Sequence, residues 1–546
     1  MALESQSIPA PVGGWNTKDS RDFLDPNFAR ELTNWFPDTG QVVTRKGYRS
    51  HSSAMGSSYV ETLASFTADD GTETLIAGAN SNLYDATSYG GSGSSVGSGY
   101  TNNRWQSVSF KSRLWLCNGA DQPVYWTGSA LGSVVFGAAL WTTSTAYVEG
   151  DQVYYGTNIY EATTAGTSGG TPPTHTTSTA SDGGVTWLFR VSTTSFINVT
   201  AHKSRLYWVE KDSCSIWYAG VNSITGEITE FDVGGVFRTG GYIEGCASLS
   251  RSTGDGDQNQ LIIFGSSGEA LVYSGSYPGD SAWSLVRRVR LPRLLGRRAW
   301  TELGSDLVCI TRAGLYAFNE LLGGKPAGTE TPISDKVNDT FIRWAADYSA
   351  NFGWSVVNYP EDQKLIVNIP KTSSASYQLV FNTLSGAACL YDGINAKSWA
   401  THKNSIYFGG IDGKVYQSEY GYTDGSNSIS HLLKQAWSYA GNRATLKKFA
   451  AVKPLLETST TTTIEVGVDT DFVDSSNSVS ADLSKSTTAW ASPWGSAWTE
   501  PSAVFNSWIP ISATGKNYSL KLAGVLNGGQ LEFVSSQVLY DQGGVK

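Results

Sequence analysis

The apolar positions of this chain recur with a period of two, in short runs that end in turn residues. Three stretches share one pattern: Ser107-Val-Ser-Phe-Lys-Ser-Arg-Leu-Trp-Leu-Cys117, Asn198-Val-Thr-Ala-His-Lys-Ser-Arg-Leu-Tyr-Trp208 and Ser398-Trp-Ala-Thr-His-Lys-Asn-Ser-Ile-Tyr-Phe408. In each, an alternating strand runs into a Lys-Ser or Lys-Asn turn, and a strand rich in aromatic and β-branched residues leaves it, as in a hairpin. A hairpin cannot bury its apolar face alone. Copies spread over several hundred residues, each followed by a glycine-containing turn, predict a radial stack of small antiparallel sheets. Further blade candidates begin at Leu261, Asp306, Lys364 and Ser405, several with the form apolar strand, glycine turn, Leu/Val-Tyr. The predicted fold class is all-β: a β-propeller of about six blades, carrying an inserted small β domain and a C-terminal antiparallel β domain.

Spacing sets the organisation. Residues 1–57 read as an extended arm, Ile8-Pro-Ala-Pro-Val-Gly-Gly-Trp15, followed by a short helix with Asp25 as N-cap and Pro26 at its first position, ending before Pro37. Residues 58–137 hold the first blades, and residues 193–430 the rest. Ser107 and Asn198 stand 91 positions apart; removing a self-contained segment, residues 138–192, leaves a blade-like spacing of about forty. That segment is therefore an insertion in a surface loop. Residues 431–546 turn to Thr/Ser-rich alternation, over 458–468 and 475–485, and read as a separate β domain whose last strand, near Tyr540, could instead seal the ring.

Composition agrees with β structure: of 546 residues only 16% are charged, against 59 Gly, 19 Trp and 27 Tyr. The formal charge of −9 excludes a protein that grips nucleic acid by neutralising phosphates along its whole surface. The five cysteines stand far apart and read as buried free thiols. Met1-Ala-Leu-Glu-Ser-Gln lacks a basic region followed by an apolar stretch, and no run approaches the roughly 18 apolar residues of a membrane span, so synthesis as a soluble cytoplasmic chain is expected. With no zinc, redox, Walker or dinucleotide motif, neither metal nor cofactor is expected.

Two constellations carry candidate chemistry. The insert is rich in aromatics, and Trp141, the Tyr147-x-x-Gly-Asp-x-Val pattern, Tyr160, Pro173 and Trp187 resemble small chitin- and cellulose-binding modules. Trp141, Tyr147, Tyr154, Tyr155, Tyr160 and Trp187 are thus candidate glycan-binding residues, since a pyranose lays its C–H groups on a π face. The same rings could equally form the core of a domain this small. Asp182-x-Gly-x-Thr-Trp187 also resembles the Asp-box turn of sialidase-like propellers, a structural element, with Ala180 where that turn has Ser. The second constellation is basic: Arg287, Arg288, Arg290, Arg293, Arg297 and Arg298 fall within twelve residues of an acidic chain. Such a ribbon suits either DNA phosphate or salt bridging to a neighbouring subunit or domain. His202 and His402 occupy equivalent repeat positions and read as blade-turn residues; no catalytic residue is assigned.

The opening of the chain, Gly13-Gly-Trp-Asn-Thr-Lys-Asp-Ser20 through Leu32-Thr-Asn-Trp-Phe-Pro37 and Val43-Thr-Arg-Lys-Gly-Tyr48, resembles that of tail nozzle proteins of short-tailed bacteriophages, also called packaged-DNA stabilisation or tail tubular proteins. Asn34-x-x-Pro37 followed by Arg45-x-Gly47 is the most specific part. Ser405-Ile-Tyr-Phe-Gly-Gly-Ile-Asp-Gly-Lys-Val-Tyr416 and Lys447-Lys-Phe-Ala-Ala-Val-Lys-Pro-Leu-Leu456 resemble the late section of the same family. The resemblance implies a non-enzymatic virion protein: a homohexameric ring below the adaptor ring and portal, beside tail fibres or spikes, that retains packaged double-stranded DNA and conducts it at ejection. The insert departs from that pattern, and host-surface glycan is a further candidate partner. A glycan-binding adhesin on a propeller scaffold and a propeller glycosidase are the alternatives.

Overall fold

The computed structural model describes residues 3–253, 256–323, 330–475, 478–484 and 503–545. At the three repeats the turn residues take positive φ in pairs: Lys111 and Ser112 (49° and 54°), Lys203 and Ser204 (46° and 60°), Lys403 and Asn404 (47° and 57°). Two consecutive positive φ values make a type I′ turn, whose twist matches that of the strands it joins. Each turn closes a hairpin in register, for example Val199 opposite Trp208 and Trp399 opposite Phe408.

Those hairpins are the inner halves of propeller blades. The first four blades are four-stranded and begin with Val60–Thr67, Gln106–Ser109, Phe196–His202 and Ile243–Thr253. The fifth, beginning with Trp300–Leu303, has three strands, with the short helix Phe318–Leu322 packed beside it. The sixth begins with Ser355–Tyr359 and the seventh with Ser398–His402. Successive inner strands touch around a ring, and Ser398–His402 returns to Val60–Thr67. The propeller is as expected, with seven sheets in the ring where the repeats suggested about six; the fifth, which contains the candidate at Asp306, has only three strands.

Tyr48–Ser50 supplies the outer strand of the seventh blade, pairing with Val415–Ser418. Closure is therefore made by chain that precedes the first blade. The last strand, Leu531–Val545, pairs instead with Glu4–Pro9, Gln41–Thr44 and Thr445–Thr458.

The two chain ends build one β sandwich. One sheet is formed around Leu531–Val545. The other runs without a break from the sixth blade through Gly14–Trp15, Phe28–Thr33 and Ile429–Gln435 to Tyr518–Leu526, Thr462–Thr470 and Ser478–Leu483. Lys485, in the predicted alternating stretch, lies outside the described residues. Val452, Leu456, Val466, Leu520, Leu522 and Phe533 fill the space between the sheets and join the core of the sixth blade. The helix expected over residues 25–36 is instead two strands, Phe28–Thr33 and Trp35–Asp38. Asp25 caps a turn through its Oδ1 and the Asn27 N–H (2.8 Å), and pairing with Ile429–Gln435 overrides local propensity. The five cysteines are free, four buried and Cys214 partly so. No helix among the described residues is long and apolar enough to cross a membrane.

Candidate functional site

The insert forms a five-stranded sheet between the second and third blades, with Asn158–Thr164 and Val185–Ser192 at its centre. Strand alternation decides what each ring does. Trp141, Tyr147, Tyr160 and Trp187 point inward with Val153, Ala162 and Val185 and are buried. Tyr147 sits edge-on to Trp187 at 4.9 Å, Tyr160 Oη donates to the His175 carbonyl (2.9 Å), and Trp141 Nε1 donates to Asp182 Oδ2 (3.2 Å). The Asp-box-like turn thus holds a core tryptophan in place. Of the six candidate glycan-binding rings, only Tyr155 is exposed and Tyr154 half-exposed. The opposite face is also covered: Ile159 and Val191 pack with Trp115, Phe136, Phe196 and Trp208 of the neighbouring blades, and Arg190 pairs with Glu230 (3.0 Å) of the third blade.

The arginine ribbon does not form one surface. Arg287, Arg288 and Arg290 are exposed on Ser284–Arg290, the outer strand of the fourth blade, where Arg287 donates to the Leu322 carbonyl and Arg288 to that of Val236 (3.1 Å). Arg293 is exposed in the connection that follows. Arg297 and Arg298 lie at the propeller axis. There a 410 Å³ cavity is lined by all seven inner strands, through Leu63, Val108, Thr200, Ala247, Thr301, Val356 and Trp399 among others. A separation of a few residues along a strand and its connection spans a whole blade, from rim to axis.

The residues of the pattern Asn34-x-x-Pro37 and Arg45-x-Gly47 do converge. Asn34 stands at φ 59°; its Oδ1 accepts from Arg45 Nε (2.8 Å) and the Asp392 N–H (2.9 Å), and its Nδ2 donates to the Ser430 carbonyl (2.7 Å). Arg45 grips Asp424 with both terminal nitrogens (2.8 and 2.6 Å), its side chain fully buried. A Cβ on Gly47 would stand 1.9 Å from the Thr423 carbonyl oxygen, so only glycine fits there. The Pro37 carbonyl accepts from Asn382 Nδ2 (3.0 Å). Four residues of one short stretch thereby tie the sandwich to the sixth and seventh blades. Asp424 was missed by sequence reasoning; its only local signal is an Asp-Gly turn.

The two repeat histidines are also joints. His202 Nδ1 and Ser248 Oγ share a hydrogen bond of 2.8 Å, and His402 Nδ1 and Ser65 Oγ one of 2.9 Å. Each serine lies on the inner strand of the next blade around the ring. Burial lowers both imidazoles, that of His202 to about 4. Because the same Ser–His contact occurs at two blade junctions, it is read as architecture rather than as a nucleophile and base.

No family model matches the chain, and no curated protein does. Among solved structures it is similar to the computationally designed Ika8 protein (10% identity, TM-score 0.35, 68% of this chain and 99% of that one). It is also similar to BBS1N, solved with ARL6DN (10%, 0.36, 69% and 98%), and to YCF48 from Cyanidioschyzon merolae (10%, 0.28, 68% and 98%). At that distance none bears on function.

Proposed function

We propose that this chain is the tail nozzle of a short-tailed bacteriophage, a non-enzymatic ring of six copies that retains packaged DNA and conducts it during ejection. The observation that carries the reading is the buried joint of Asn34, Pro37, Arg45 and Gly47: the residues that most specifically match the family are those whose geometry this architecture demands. Adaptor ring, fibres or spikes and the passing duplex are its partners on this reading, and the virion tail its place. The duplex runs between subunits. A 410 Å³ axial cavity holds about a dozen waters at roughly 30 Å³ each, whereas the major groove of DNA alone is about 12 Å wide. A net charge of −9 suits a conduit that must not hold a polyanion. Identical subunits would meet head to tail.

Native mass measurement and electron images of the purified chain, alone and with an adaptor ring, are the test. A closed ring of six is the expected result; a protein that stays monomeric in both conditions sinks the proposal. The glycan-binding alternative is left with Tyr154 and Tyr155 as its accessible rings.

A further inference from the structure

The axial end of the arginine ribbon meets a residue distant in sequence. Arg104, Gln106, Arg297, Arg298 and the loop around Phe352 line a recess of 300 Å³ that adjoins the axial cavity, with which it shares Gln106, Arg297 and Arg298. The Arg298 guanidinium is held only by neutral acceptors: the carbonyls of Glu61 (2.6 Å) and Trp105 (2.8 Å) and Thr62 Oγ1 (2.8 Å). These acceptors are neutral; the Glu61 carboxylate acts on the partly buried guanidinium from further off. Arg104 pairs with Glu61 through Nε alone, at 3.2 Å. Arg104 and Arg298 both lie over the Phe352 ring, at 4.3 and 5.4 Å, so two cations crowd one small space. Burial lowers Arg298 to about 10; the Glu61 carboxylate opposes that shift, and repulsion from Arg104 adds to it. Arg297 makes no ion pair within 4 Å among the described residues, but it is within electrostatic reach of Glu244.

The three guanidinium groups outnumber the two carboxylates that act on them, Glu61 on Arg104 and Arg298 and Glu244 on Arg297, and together they suit an anion with several acceptor oxygens. A carboxylate ligand would satisfy one planar fork; a phosphate monoester, with up to two charges and three free oxygens, can meet all three. We propose that the recess binds a phosphate group, held by Arg104, Arg297 and Arg298 beside the ring of Phe352. The proposal does not depend on the nozzle reading.

Calorimetric titration of the full chain with inorganic phosphate, and with a DNA oligonucleotide carrying either a 5′-phosphate or a 5′-hydroxyl, tests it. Saturable binding of phosphate at one site per chain is expected. Arg104→Gln with Arg297→Gln should weaken it about tenfold or more, whereas Arg287→Gln with Arg288→Gln, at the rim, should leave it unchanged. Arg104→Lys, which keeps a cation beside Glu61 but loses the planar fork, should give a smaller loss. Tighter binding of the 5′-phosphorylated oligonucleotide than of the hydroxyl form identifies a DNA end as the source; equal binding of inorganic phosphate identifies the free ion. No saturable phosphate binding by the unaltered chain, or undiminished binding by the Arg104/Arg297 variant, overturns the proposal.

Discussion

The third blade is one unbroken piece of chain, its four strands following each other from Phe196 to Asp232, while the terminal sandwich pairs Glu4 with Tyr540 and Ala29 with Gln435. In the blade, each pairing closes a short loop, so little chain entropy is lost before contact is rewarded. The sandwich needs both ends of the chain in place at once. Beside its apolar core it relies on specific long-range pairs, such as Arg45 with Asp424, whose charges are uncompensated until both segments are in place. Local redundancy protects a blade; single joints carry the sandwich and the seventh blade.

Arg45→Ala should have the largest effect. It leaves Asp424 buried without its partner and removes a bond to Asn34, which costs about 3–5 kcal/mol. Denaturant midpoints measure this, and a loss below about 1 kcal/mol would falsify the joint as the critical contact. Trp187→Ala should cost about 3–5 kcal/mol as well, but within the insert. Hydrogen exchange should then show the insert opening while the blade strands stay protected; a collapse of the whole ring would mean that blades two and three depend on it.

Per residue, a comparable or smaller effect comes from buried histidines and is read through pH. His202 and His431 are each lowered by burial from 6.5 to about 4. Between those values the unfolded chain holds a proton that the folded chain refuses, so stability falls as pH drops from 6.5 towards 4 and levels off below. The loss is roughly 3 kcal/mol per histidine at full extent. His202→Gln should flatten that part of the pH–stability curve, and an unchanged slope would show that the blade junction is already hydrated. Tyr155→Ser, on the exposed edge of the insert, should change stability by no more than about 0.5 kcal/mol.

Much of the ring was legible because its information is local. The Lys-Ser and Lys-Asn turns, the alternation on either side and the repeated histidine are each contained in about a dozen residues, and these specified hairpins and fold class; that the histidines join neighbouring blades came only with the structure. The hairpin of the fifth blade was legible at Asp306, but not that the blade is a short sheet with a helix beside it. The candidate sites were less legible. Six neighbouring arginines read as one ribbon, yet strand geometry separates Arg287 at the rim from Arg298 at the axis. Six aromatics read equally as sugar-facing or as core, and pleating turned four of them, Trp141, Tyr147, Tyr160 and Trp187, inward.

What the sequence determined by itself was the hairpin unit, its repetition and the all-β outcome, since turn chemistry and period-two burial act over neighbouring residues. Only the tertiary structure decided that Tyr48–Ser50 closes the seventh blade, that Phe28–Thr33 is strand and not helix, and that Arg104 meets Arg297 and Arg298. Those outcomes rest on partners hundreds of residues away, and hydrogen bonds and burial supplied from that distance outweigh the fraction of a kcal/mol per residue by which local preferences differ.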